Sequence, residues 1–147
     1  MKRFDFRLEP LLQYRTGLEK GALLEKVRAQ EELSQCREVL EQTCNLLDRA
    51  LDSARGEKFD PLDGLNNVLY REFLAGCKHR QELQVAGAET ELERRRQMLV
   101  EARRDKLVLE KLKEKQFCSY RKELHNFEQK SNDELAMVTY ANKFYRF

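Results

Sequence analysis

The side chains that most often carry chemistry are sparse in this sequence and poorly placed for it. His79 and His125 are the only histidines, and both lie in charged sequence of helical spacing, where a solvated imidazole is expected. Four cysteines, Cys36, Cys44, Cys77 and Cys118, stand far apart with no CxxC pair, so neither a zinc site nor a disulfide is predicted. Cys77-Lys78-His79 brings a thiol near an imidazole, but a zinc ion needs a second ligand pair. Carboxylates are plentiful, yet they alternate with Lys and Arg, the pattern of i,i+4 ion pairs on a wet helix face. No glycine-rich loop could cradle a phosphate. Arg94-Arg95-Arg96 and Arg103-Arg104 form the densest basic run. Between residues 89 and 115, however, nine bases face seven acids, which predicts a salt-bridged face rather than a stripe that tracks phosphates. The residues predict no enzyme, no cofactor, no metal, no small-molecule substrate and no nucleic acid.

Composition says what such a chain can be instead. Of 147 residues 37% are charged and only 9% aromatic, with no Trp, two prolines and six glycines. A compact core needs more large apolar groups, whereas a coiled coil needs only a narrow stripe on each helix. Twenty-eight basic residues nearly balance 26 acidic ones, and a net charge of +2 argues against a polybasic membrane anchor. No run approaches the 18 apolar residues of a membrane span. Met1-Lys2-Arg3-Phe4-Asp5-Phe6 lacks the apolar stretch of a secretory signal, so a soluble cytosolic chain is expected.

The elements follow from breakers and periodicity. Pro10 suits a first helical turn, where its missing N–H costs nothing. Beyond it Leu33, Leu40, Leu47 and Ala54 form one heptad line, and Ala22, Ala29, Cys36, Thr43 and Ala50 form its partner. Leu11 and Leu18 are out of phase with Leu33, which predicts a stutter around residues 22–29. Residues 56–64 gather three of the eight glycines and prolines and predict a connection between two helices. The second helix, about 65–140, carries Leu65, Leu69, Phe73, Leu83, Leu92, Leu99, Ala102, Leu109, Leu112, Phe117, Tyr120, Leu124 and Phe127 in a less regular seam. Ser131-Asn132-Asp133-Glu134 has the form of a capping box, so the tail is expected to restart as a short helix. The expected fold is all-α, a single coiled-coil domain over 1–147: an antiparallel two-helix coiled-coil hairpin with an overhanging C-terminal helix and a flexible tail.

The lengths are unequal. With a rise of 1.5 Å per residue, a first helix over about 10–55 spans about 70 Å and the second about 115 Å. A tip near residue 60 pairs residues whose numbers total about 120, so Leu8 faces Leu112 and everything beyond Leu112 overhangs. Ten of the 13 aromatic residues fall in the first 14 or last 31 positions. Either the termini bury these rings on each other, or that end docks into another protein, where aromatics supply large contact area.

Both ends also carry family-like motifs. Phe6-Arg7-Leu8-Glu9-Pro10-Leu11-Leu12 with Tyr14-Arg15 resembles the opening of FliJ proteins of the bacterial flagellar type III export apparatus. Leu109-Glu110-Lys111-Leu112-Lys113-Glu114-Lys115, Tyr120-Arg121-Lys122-Glu123-Leu124, Glu128-Gln129-Lys130 and Asp133-Glu134-Leu135-Ala136 resemble that family's C-terminal region. The resemblance implies a coiled-coil stalk whose end bearing both termini inserts into a hexameric flagellar export ATPase and stimulates it. It further implies contact with the cytoplasmic domain of the membrane export gate protein, escort of export chaperones, and a cytoplasmic place at the inner face of the cell membrane at the flagellar base. Leu8, Leu11, Tyr14, Arg15, Leu112, Lys113, Lys115, Tyr120, Arg121, Gln129 and Lys130 match the ring-facing positions, and Tyr70 with Phe73 the gate-facing segment. The glycines at 76 and 87 and the Phe144-Tyr145-Arg146-Phe147 end depart from many relatives. The stalk of a virulence secretion system and a self-associating coiled-coil scaffold are the alternatives.

Overall fold

A computed structural model describes residues 3–53 and 60–144. It is all-α: α1 runs Glu9–Ser53 and α2 runs Pro61–Phe144, and the two long helices pack against each other. Ala54, residues 56–59 of the expected connection, and Tyr145, Arg146 and Phe147 of the expected tail lie outside the described residues.

Pro61 opens α2 instead of belonging to the connection. Its missing N–H falls where no helical bond is due, and Asp60 caps the turn by accepting from the Leu62 N–H at 3.1 Å and, through its carbonyl, from the Gly64 N–H at 2.8 Å. The helix therefore begins about one turn before residue 65. It also continues without a break through residues 131–134, so the expected restart does not occur. A Ser-x-x-Glu sequence caps a helix only where the chain before it leaves helical geometry, and no Gly or Pro there makes it do so.

The chain divides into two compact units, residues 1–17 with 103–147, and residues 18–102. In the second unit the helices are antiparallel. Glu25 pairs with Arg95, Arg37 with Glu89, and Ser53 with Asn67, at 3.7, 2.7 and 3.0 Å. The first unit is antiparallel as well, with Glu9 bound to Lys113 and Arg15 to Asp105, at 2.6 and 2.7 Å.

The seam of α1 is the expected one. Ala29, Leu33, Thr43 and Ala50 are buried, and Ala22, Cys36, Leu40 and Leu47 are half-buried. Ala29 and Leu33 form a core with Leu92, against which Val85 and Ala88 pack. Burial of each such leucine contributes about 1.5–3 kcal/mol. The stutter is absent. Leu8, buried Leu12, Arg15, Glu19, Ala22 and Lys26 carry the same heptad back to the helix start, while Leu11 and Leu18 are exposed. Polar residues at Arg15, Glu19 and Lys26 hide the phase from a reading that follows leucines.

The seam of α2 departs further from expectation. Leu65, Leu69, Phe73 and Leu83 are exposed, and α2 instead turns Asn67, Arg71, Leu74, Lys78 and Gln81 inward. Leu92 and Leu99 are buried and Ala102, Leu109 and Leu124 half-buried, as their spacing predicts. Leu112, Phe117 and Phe127 are exposed.

Gly76 and Gly87 do not interrupt α2, and a Cβ added at either meets nothing within 4 Å. Gly76→Ala and Gly87→Ala are each expected to stabilise the protein by about 0.5–1 kcal/mol, the mid-helix cost of glycine. The measurement is a higher urea midpoint at unchanged slope.

Candidate functional site

The first unit holds all of the ring-facing candidates. Residues 3–8 precede α1 without being helical, and the Glu9 N–H donates to the Phe6 carbonyl at 2.9 Å as the helix begins. That geometry lays the two N-terminal rings on α2. Phe6 is 4% exposed, with the Lys113 ammonium 5.9 Å from its ring centre. Phe4 meets Phe117 edge-on at 5.3 Å and Tyr120 at 5.6 Å. Lys113 is thereby held twice, over Phe6 and by the Glu9 carboxylate at 2.6 Å. Magnitudes rank these contacts. An exposed ion pair is worth about 0–1 kcal/mol and this cation–π contact about 0.5–1 kcal/mol, so burial of Phe6 and the ring pairs of Phe4 dominate.

Phe4, Leu12 and Phe117, with the stems of Glu110, Lys113 and Glu114, line an open cavity of about 500 Å³. Of these, Glu114 accepts a hydrogen bond from the Lys111 ammonium at 2.6 Å. That hydrogen bond, and then the charge of Lys111, hold the Glu114 carboxyl below its ordinary value. The same bond, then the charge of Glu114, raise the Lys111 ammonium. Glu114 therefore favours folding only above the unfolded carboxylate range, and its contribution is lost as pH falls through its depressed value. The contribution of Lys111 is present below the unfolded ammonium value and lost as pH rises through its raised one.

The sequence-predicted residues separate into two groups. Arg15, Lys113 and Tyr120 are engaged within the unit, and Leu8 is half-buried at the start of α1. Leu11, Tyr14, Leu112, Lys115, Arg121, Gln129 and Lys130 are exposed, Tyr14 by 61%. Phe4, Phe6, Glu9 and Asp105 were not singled out as site residues, though they position those that were. The register that sets Leu8 opposite Leu112 already carries Phe4 to the neighbourhood of Phe117. The overhang consequently begins later than Leu112. The non-helical N-terminal residues extend the covered stretch to Tyr120, which Phe4 meets, and Leu124 is the last half-buried position of α2. From residue 125 to residue 143 every position is exposed, Phe127, Leu135, Val138 and Tyr140 included.

In the second unit Tyr70 and Phe73 are both exposed, near the start of α2. With Leu62, Leu65 and Leu69 they form an apolar strip, and Asn67, Arg71 and Leu74 between them are the residues turned inward.

A family model described as the flagellar FliJ protein matches residues 4–144. The chain belongs to the FliJ family. FliJ proteins are structural components of the type III export apparatus. Among solved structures the chain is similar to one described as a YscO homologue from Chlamydia trachomatis, with a TM-score of 0.63 and 18% identity. The match covers 99% of this chain and 100% of that one, and at this identity it shows a shared fold. No curated protein sequence matches the chain.

Two outcomes test the geometry. Phe4→Ala is expected to cost about 1–3 kcal/mol, through the lost ring pairs and burial, read as a lower urea midpoint. Lys111→Ala is expected to return the Glu114 carboxyl toward its ordinary value in an NMR titration.

Proposed function

We propose that the chain is the non-enzymatic stalk of a flagellar type III export apparatus. Its residues near both termini enter the pore of a hexameric export ATPase and stimulate it. Tyr70 and Phe73 contact the cytoplasmic domain of the membrane export gate, and the same protein escorts export chaperones. It works in the cytoplasm, at the inner face of the membrane.

The observation that carries this reading is α2 from residue 125 to 143, helical and exposed on all sides. Helices in water draw most of their stability from a packed face, and contiguous exposed apolar groups mark a partner surface. Leu135 and Val138 are three apart and share a face, and Phe127 precedes Leu135 by two turns. Arg121, Gln129 and Lys130 add donors suited to a polar rim. Next to this helix the Phe4 cluster and the Glu9–Lys113 pair anchor the chain's start, so the partner meets a preorganised surface.

Flagellar export is favoured over the virulence system because the family model that matches nearly the whole chain is the flagellar one. Adding the purified chain to its cognate ATPase is expected to raise phosphate release. Arg121→Ala with Lys130→Ala should weaken that stimulation about tenfold at fixed concentration, the loss of roughly 1.4 kcal/mol of contact, with unchanged helical circular dichroism. No stimulation at saturating chain overturns the proposal, and a tight dimer in sedimentation equilibrium favours the self-associating scaffold.

A further inference from the structure

Three polar atoms inside the second unit are buried without a hydrogen-bond partner among the described residues: Asn67 Oδ1, Arg71 Nε and Gln81 Oε1. All three lie in one stretch of α2, and all three occupy the positions turned toward α1. Between residues 67 and 81 the covered positions of α2 read Asn67, Arg71, Leu74, Cys77, Lys78 and Gln81, and of these Leu74 is the one fully buried apolar side chain. Beyond Val85 the seam changes character and becomes the packed cluster of Leu92 with Ala29 and Leu33.

The facing stretch of α1 does not repair the polar half. Thr43 is buried, and its hydroxyl donates to its own Val39 carbonyl at 3.1 Å. Ala50 is buried and offers no side-chain acceptor. Asn67 donates to Ser53, which leaves its carbonyl oxygen unmatched. A buried polar group without a partner loses the hydration it would recover in water, so each one favours separation of the two faces. Gly76 lies in the same stretch, with nothing within 4 Å of a Cβ, and weakens that part of α2 without a packing role.

We infer that residues 40–53 of α1 and 61–81 of α2 form an opening device. They separate as one local unit while residues 22–36 and 85–99 remain paired. Separation hydrates Arg71 and Gln81 and presents Leu47 and Leu74 beside the apolar strip of Leu65 and Leu69.

Hydrogen exchange with mass spectrometry on the full chain tests it. Amides of residues 43–53 and 64–81 are expected to exchange at least about tenfold faster than those of 85–99, the factor that one unmatched buried group supplies. Arg71→Leu with Gln81→Leu should slow that exchange about tenfold or more and leave 85–99 unchanged. Gln81→Leu alone should move it in the same direction, which guards against a misfolded double variant. Equal exchange in the two halves overturns the inference. So does fast exchange that neither variant slows, because that pattern is simple fraying of helix ends.

Discussion

A two-helix structure has no interior apart from the stripe along which the helices touch, and everything else in this protein depends on that constraint. Each helix can turn inward only two positions in seven, so large side chains cannot all be covered. Along the helices the buried set is accordingly Leu12, Ala29, Leu33, Thr43 and Ala50 in α1 against Leu74, Leu92 and Leu99 in α2. Such a seam fixes register, because a slip by one heptad position would expose Leu33 and Leu92 and bury charge. Register in turn brings Glu25 to Arg95 and Arg37 to Glu89. Those ion pairs are exposed and follow from the seam more than they create it.

The first unit shows the same constraint where the seam ends. A pair of helices must stop somewhere, and here the stop is made by residues 3–8 in non-helical geometry, which carry Phe4 and Phe6 onto α2. Phe6 is nearly covered, Phe4 shares its face with Phe117 and Tyr120, and Lys113 closes over Phe6 with Glu9 behind it. Past Leu124 every position of α2 from 125 to 143 is exposed. The division between positioning residues and partner-facing residues is thus a division between those inside the stripe and those beyond it.

How legible this was depended on whether the seam was apolar. In α1 from residue 29 onward leucines and small residues mark the stripe, and its heptads could be read directly. Upstream, Arg15, Glu19 and Lys26 occupy the inward positions, so the exposed Leu11 and Leu18 suggested a phase shift that does not exist. The effect is stronger in α2. Between residues 65 and 83 most of the apolar residues lie on the outer face, and apart from Leu74 and Cys77 the inward face is polar, which inverted the assignment. A rule that places apolar residues inward fails where the outward face is itself a binding surface or the inward face is made to be weak.

The sequence by itself determined the all-α hairpin, because two runs with few breakers, joined by a glycine- and proline-containing segment, leave no other way to bury heptad stripes. It also determined the antiparallel register near a total of 120, since both helices rise by the same amount per residue. The kinship with FliJ proteins was legible as well, in motifs at the two ends. Only the tertiary structure decided which faces met. Whether Leu65 or Arg71 turned inward, and whether Tyr120 faced a partner or Phe4, depended on the packing of both helices at once. Side-chain contact across a seam is a property of two stripes together, and neither stripe alone specifies it.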